Sequence, residues 1–146
     1  MSPQGALPAQ PNFLTLACRD VERMADFLRA LGWPESPESE PAHRVFQCRN
    51  GVVVALYAAA NYEPHLGPVP DGFRAFTLGV NLAMPEEVDA AYTALREVDG
   101  AELLEEPFDS PHGFRGFSFR DPEGKIWDVA WKRGSRLAQD GSLTWS

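Results

Sequence analysis

The chain repeats itself. Phe76-Thr77-Leu78-Gly79-Val80 echoes Leu14-Thr15-Leu16-Ala17-Cys18, and each run leads into an amphipathic helix and then into short strands. A repeated supersecondary unit constrains a fold strongly, because each copy must bury the same faces in the same way. In the first copy Asn12–Cys18 alternates as a half-buried strand does, with Leu14, Leu16 and Cys18 on one face and Phe13, Thr15 and Ala17 on the other. Asp20 is placed to cap a helix, although Arg23 stands where a full capping box carries an acid. Val21, Met24, Phe27, Leu28 and Leu31 then recur at helical spacing, and Gly32 closes the helix. Residues 33–41 hold three prolines and three glutamates and read as a loop or a short edge strand. Two more strands are expected over Arg44–Arg49 and Val52–Tyr57, joined by the hairpin step Asn50-Gly51.

Ala58–Gly72 reads as a proline-bearing connector, a candidate lid or linker. The second copy begins with an expected strand over Phe73–Leu82. Met84-Pro85-Glu86-Glu87 opens its helix, with proline early and acids in the first turn. Val88, Ala91, Tyr92 and Leu95 give the apolar stripe, and Gly100 ends it. A short strand over Ala101–Glu105 and a loop over Pro107–Gly113 precede the last hairpin. That hairpin is the most informative stretch: Phe117-Ser118-Phe119-Arg120, a turn at Asp121-Pro122-Glu123-Gly124, then Lys125-Ile126-Trp127-Asp128-Val129-Ala130-Trp131. Pro122 pre-sets the first turn corner and Gly124 supplies a positive φ. Alternation turns Trp127, Val129 and Trp131 under a helix and Ile126, Asp128 and Ala130 to the other face. A carboxylate among aromatics needs a partner or a task, since burying it unpaired is costly.

Two helix stripes need sheets to cover, so each copy covers one sheet face with its own helix. The fold class is α+β: two βαβββ modules forming a curved mixed sheet around a cavity. Residues 1–11 are an irregular arm, 12–132 one domain (module one about 12–60, module two about 73–132), and 133–146 a polar tail in which Leu143 and Trp145 are available for docking. The faces away from the helices place Phe13, Thr15, Ala55, Tyr57, Thr77, Asn81 and Asp128 on the cavity, with Phe114 as an aromatic wall and His112 or Arg115 at its mouth. Trp33, Tyr62 and Phe73 are further candidates for aromatic walls, suited to a planar or cationic guest.

A net charge of −8 and the lack of a basic face argue against nucleic acid as a partner. No apolar run is long enough for a bilayer and no basic-then-apolar leader opens the chain, which predicts a cytoplasmic protein without a membrane partner. Cys18 and Cys48 read as two small buried thiols. His43, His65 and His112 read as surface or loop histidines.

On these residues the chain resembles the vicinal oxygen chelate superfamily: glyoxalase I, extradiol dioxygenases, and bleomycin- and fosfomycin-resistance proteins. The similarity rests on Leu14-Thr15-Leu16 with Asp20-Val21-Glu22-Arg23 and Phe27 to Gly32, on Pro85-Glu86-Glu87-Val88-Asp89, and most specifically on Phe119-Arg120-Asp121-Pro122-Glu123-Gly124-Lys125-Ile126-Trp127-Asp128. It covers roughly Asn12 to Trp131. The resemblance implies paired βαβββ modules, a homodimer, and four metal-ligand positions facing the cavity. Carried across, those positions hold Phe13, Ala55, Thr77 and Asp128. Only Asp128 can ligate a cation well, and a transition metal takes three or more protein ligands. The expectation is therefore no metal and no cofactor. Two functions follow. The first is metal-independent small-molecule binding, like that of drug-sequestering resistance proteins, with an aromatic or cationic guest. The alternative is a glyoxalase-like lyase, isomerase or cyclase with Asp128 as acid or base, helped by Thr77, Asn81 or His112.

Overall fold

The structure, a computed structural model, describes residues 6–145. Residues 6–11 carry neither helix nor strand, and residues 1–5 of the expected arm lie outside the described part. The first copy of the repeat is β1 (Phe13–Cys18), α1 (Val21–Ala30), β2 (His43–Gln47) and β3 (Val53–Ala58). β1 runs parallel to β3, from Phe13 opposite Val53 to Cys18 opposite Ala58, and β2 pairs antiparallel with β3. Residues 33–41 add only two isolated bridges to β2, Glu35 to Phe46 and Glu40 to His43. Three prolines explain the loss, since proline brings no N–H to a ladder.

After α2 (Ala59–Leu66), the second copy is β4 (Leu78–Asn81), α3 (Pro85–Leu95), β5 (Glu102–Leu103), β6 (Phe108–Asp109), β7 (Phe114–Arg120) and β8 (Ile126–Lys132). Its strand order is β4-β8-β7-β5, with β6 also on β7. β4 is parallel to β8, as β1 is to β3, so the copies share one topology. The modules form two mixed sheets, with no ladder between them among the described residues.

Three expectations are corrected. The connector is not irregular throughout: Ala59–Leu66 is α2, with Pro64 inside it. A proline in a short helix hid the signal. The strand expected over 73–82 is regular only at Leu78–Asn81. Ala75 is left-handed, φ 67°, which breaks an extended run. Arg74 is held beside it, donating from Nε to Pro70 O and from Nη1 to Glu123 O. The tail is not plain: β9 (Arg136–Leu137) and β10 (Leu143–Thr144) form a small antiparallel hairpin. Its tip reaches the first module, where Arg49 Nη2 donates to Gln139 O.

One core joins both copies. Val21, Met24, Phe27 and Leu28 on α1 are buried with Leu16, Cys18, Val54 and Leu56 of the first sheet and with Phe117, Phe119, Trp127 and Val129 of the second. Trp127 packs as expected under a helix. Its ring stacks on Phe119 at 5.5 Å and meets Phe27 at 6.3 Å and Trp33 at 5.4 Å. Such rings prefer offset or edge contacts at these separations.

The β7–β8 turn holds the modules in register. Buried Asp121 organises it: Oδ1 accepts from the N–H of Glu123 and of Lys125, and Oδ2 accepts from Trp127 Nε1, each at 2.9 Å. Gly124, φ 84°, closes the turn. Glu123 then reaches the first module, where its carboxylate accepts the N–H of Arg19 at 2.8 Å and of Asp20 at 2.9 Å. Asp20 is the N-cap of α1, and its side chain takes the N–H of Arg23. In a capping box the third helical residue takes the N-cap N–H. Arg23 cannot, and Glu123 does so from the other module. Lys125 completes the clasp by donating Nζ to Ala17 O at 2.9 Å. Desolvation pulls the Lys125 ammonium below its ordinary range.

Candidate functional site

The strand faces turned from the helices make the site. On the second sheet β7 and β8 pair so that Ser118 lies opposite Asp128, and β4 sets Gly79 on its other side. Asp128 is half-buried and fully engaged by hydroxyls. Thr77 Oγ1 donates to Oδ2 at 2.7 Å and Ser118 Oγ donates to Oδ1 at 2.6 Å. These are short, charge-assisted bonds, and they fix the carboxylate plane. Nothing lies within 4 Å of where a Cβ on Gly79 would sit, so space is open beside the acid.

The residues singled out from sequence fall into groups. Thr77 and Asp128 are brought together. Asn81 is not with them: its amide donates to Leu82 O and Ser135 Oγ. Phe114 packs on Trp145 of the tail, ring centroids 5.7 Å apart, and Lys132 Nζ lies 4.8 Å over the same indole. His112 sits in the exposed turn before β7, where its N–H donates to Ser110 Oγ. Ser118 lies six residues further on, so His112 is set away from Asp128 along the strand. Phe13 is 70% exposed at the start of β1 and Ala55 is buried in β3.

Thr15 and Tyr57 belong to a second group, around a cleft of about 380 Å³ whose other walls are Glu40, His43 and Tyr62. The register produces it. β1 sets Ala17 and β2 sets His43 opposite Tyr57, and α2, which starts where β3 stops, brings Tyr62 over it. Tyr57 meets Tyr62 at 5.1 Å and 82°, and His43 at 5.4 Å and 84°. The cleft volume falls within the range of small-molecule sites, about 300–1,000 Å³. A smaller hollow of about 250 Å³ between α1 and α3 is lined by Trp33, Leu82, Ala91, Val98 and other apolar side chains and has no polar anchor.

Sequence reasoning missed Ser118, Glu40 and the part played by His43. The signal for Ser118 was present: counting back from the Asp121–Gly124 turn pairs it with Asp128. His43 did not follow: a two-residue Asn50-Gly51 turn sets Arg44 opposite Tyr57, whereas the structure shifts the register by one and places His43 there. Glu40 gave no signal, because it lies in the proline-rich segment without periodicity.

The family-implied metal positions hold Phe13, Ala55, Thr77 and Asp128. That is one carboxylate with both oxygens already accepting hydroxyl hydrogens, one weak hydroxyl donor committed to it, and two hydrocarbon side chains. Among the described residues no three His, Cys, Asp or Glu side chains cluster as a metal site. This donor set does not fit a transition metal.

Fold and site define a paired βαβββ protein with a cleft of about 380 Å³ on the open face of its first sheet. The sequence profile of the Glyoxalase/Bleomycin resistance protein/Dioxygenase superfamily matches residues 10–129, and the chain belongs to that superfamily. It is similar in structure to a glyoxalase-related enzyme from Fulvimarina pelagi, with 27% identity, a TM-score of 0.82, and coverage of 95% of this chain and 99% of that one. It is also similar to a glyoxalase/bleomycin resistance protein/dioxygenase from Nocardioides, with 27% identity, a TM-score of 0.73, and coverage of 93% and 92%. A lactoylglutathione lyase from Agrobacterium tumefaciens shares the fold at 18% identity and a TM-score of 0.63, covering 86% and 95%. No curated protein matches the chain. Among the described residues no helix is long and apolar enough to cross a membrane.

Proposed function

We propose that this chain is a metal-independent small-molecule-binding member of the superfamily, acting in the cytoplasm as a homodimer. One observation carries the reading: the acid at the last family ligand position is held by Thr77 and Ser118, and the other three ligand positions are Phe13, Ala55 and Thr77. A carboxylate so held is an anchor for a donor or cation on the guest. The open space beside Gly79 is where such a guest is accommodated, and the cleft at Tyr57 offers a second place for a guest on the first module. Pairing of two copies is supported by large apolar side chains left exposed on the sheet side, Phe13 at 70% and Phe108 at 53%.

The test is a thermal-shift ligand screen run with EDTA and with added Mg²⁺, Mn²⁺, Zn²⁺ and Ni²⁺, and repeated on Asp128→Asn. Ligands are expected to raise Tm equally with and without metal, and to lose much of the shift in the variant. A divalent ion that alone raises Tm at micromolar concentration, with the gain lost in Asp128→Asn, overturns metal independence. Turnover of a bound compound, abolished by the same substitution, moves the protein into the lyase and isomerase class.

A further inference from the structure

We infer that the cleft at Tyr57, Tyr62, His43, Glu40 and Thr15 is a site for an organic cation, of the quaternary or alkylated ammonium class. The inference rests on the small-molecule reading above and names a guest class for the first-module half of the open face.

The chemistry converges on a cation. Three π-systems surround the cleft, and Tyr57 meets the other two at near right angles. Perpendicular rings turn their faces in different directions, which makes a corner rather than a flat stack. A ring face carries negative charge, and a cation over it within about 6 Å is attracted, more strongly the more water is excluded. Glu40 adds a full negative charge on the same rim. Among the described residues it forms no ion pair, whereas Glu22, Asp26 and Glu35, on α1 and just after it, are paired with Arg29 and Arg44. Glu40 shares this with other surface acids such as Glu38 and Glu63, but it is the acid that lines the cleft. The hydroxyls of Thr15, Tyr57 and Tyr62 have no hydrogen bond among the described residues, so they are free to face the methyl groups and any oxygen of the guest.

Size agrees with charge. About 380 Å³ admits a headgroup with a short tail, and a quaternary ammonium, weakly hydrated and without N–H donors, loses little on leaving water for a ring-lined corner. An anion is excluded by the same features, since Glu40 and the ring faces repel it. A planar neutral guest gains from stacking but nothing from Glu40, and that difference separates the two.

The experiment compares choline and benzyltrimethylammonium with their uncharged isosteres, 3,3-dimethylbutan-1-ol and neopentylbenzene, by calorimetric titration of the whole chain. The charged member of each pair is expected to bind at least tenfold more tightly. Tyr62→Leu and Glu40→Gln are each expected to weaken it several-fold, while Glu86→Gln, which removes an acid from the start of α3, leaves it unchanged. Glu40 is exposed, so its variant keeps the fold and isolates the charge. Equal binding of charged and uncharged members, no binding of either cation, or cation binding that survives both cleft substitutions overturns the inference. If the ligand screen then still yields metal-independent binders, the broader reading stands without the cation. If that screen is empty, both fall.

Discussion

Glu123→Ala tests the clasp between the modules. The carboxylate takes two backbone N–H groups, Arg19 at 2.8 Å and Asp20 at 2.9 Å, on the first module from a turn of the second. A hydrogen bond to a charged group contributes about 1.5–3 kcal/mol when buried. Arg19 and Asp20 are exposed, so water replaces much of the loss, and helix-cap truncations of this kind cost about 0.5–2 kcal/mol. Roughly 1 kcal/mol for each bond gives a loss of about 2 kcal/mol. For a chain of this size that lowers Tm by roughly 4–8 °C. Urea unfolding followed by tryptophan fluorescence is the direct assay, because Trp33 and Trp127 lie against each other where the modules meet. The midpoint should fall with the slope unchanged. Glu123→Gln keeps the shape and one neutral acceptor and should lose about half as much. A loss below roughly 0.5 kcal/mol, the ordinary effect of a surface substitution, refutes the clasp.

Two further outcomes follow from the same architecture. Burial pushes the Cys18 thiol up to about 12 from an ordinary 9.0, partly offset by Lys125. The unfolded chain therefore gives up this proton first, so stability is intact below pH 9 and declines as pH rises from 9 toward 12, by at most about 4 kcal/mol if the whole shift is expressed. Cys18→Ala should flatten that alkaline limb in unfolding curves, and an unchanged slope counts against it. Gly116→Ala should be strongly destabilising, by a few kcal/mol, because the new methyl would sit 2.6 Å from Val129 O on the neighbouring strand. A variant with an unchanged melting curve would show that β7 and β8 separate more easily than this packing implies.

The doubled topology was legible because period and punctuation agree in both copies. Alternation marked β1, β7 and β8, helical spacing marked α1 and α3, and Asn50-Gly51 and Asp121–Gly124 fixed two hairpins. What stayed hidden depends on contacts remote in sequence. Nothing local to residues 73–77 shows that Arg74 will be tied to Glu123 O and Ala75 turned left-handed. A short helix carrying Pro64 contradicts its own propensity. The half-made capping box at Asp20 looked like a weak helix start, and the structure completes it with an acid 103 residues away.

The site was legible in a different sense. Alternation put the right residues on the open face, but a shared face does not make them neighbours. Asp128 and Thr77 meet because β4 and β8 run parallel and next to each other, whereas Asn81, four residues beyond Thr77, turns to the tail. The oddity that first drew attention, a carboxylate among aromatics, is resolved by two hydroxyls, and a satisfied carboxylate can persist in a sheet for packing alone. What packing alone does not account for is the space left beside it at Gly79, and the cleft where Glu40 and three rings face one another without internal partners for their polar tips. Gly79 and Glu40 are exposed, so neither opening costs the fold stability, and it is the chemistry of the linings that points to a guest. A guest is therefore recognised by the openings around Asp128 and Tyr57 more than by the acid itself.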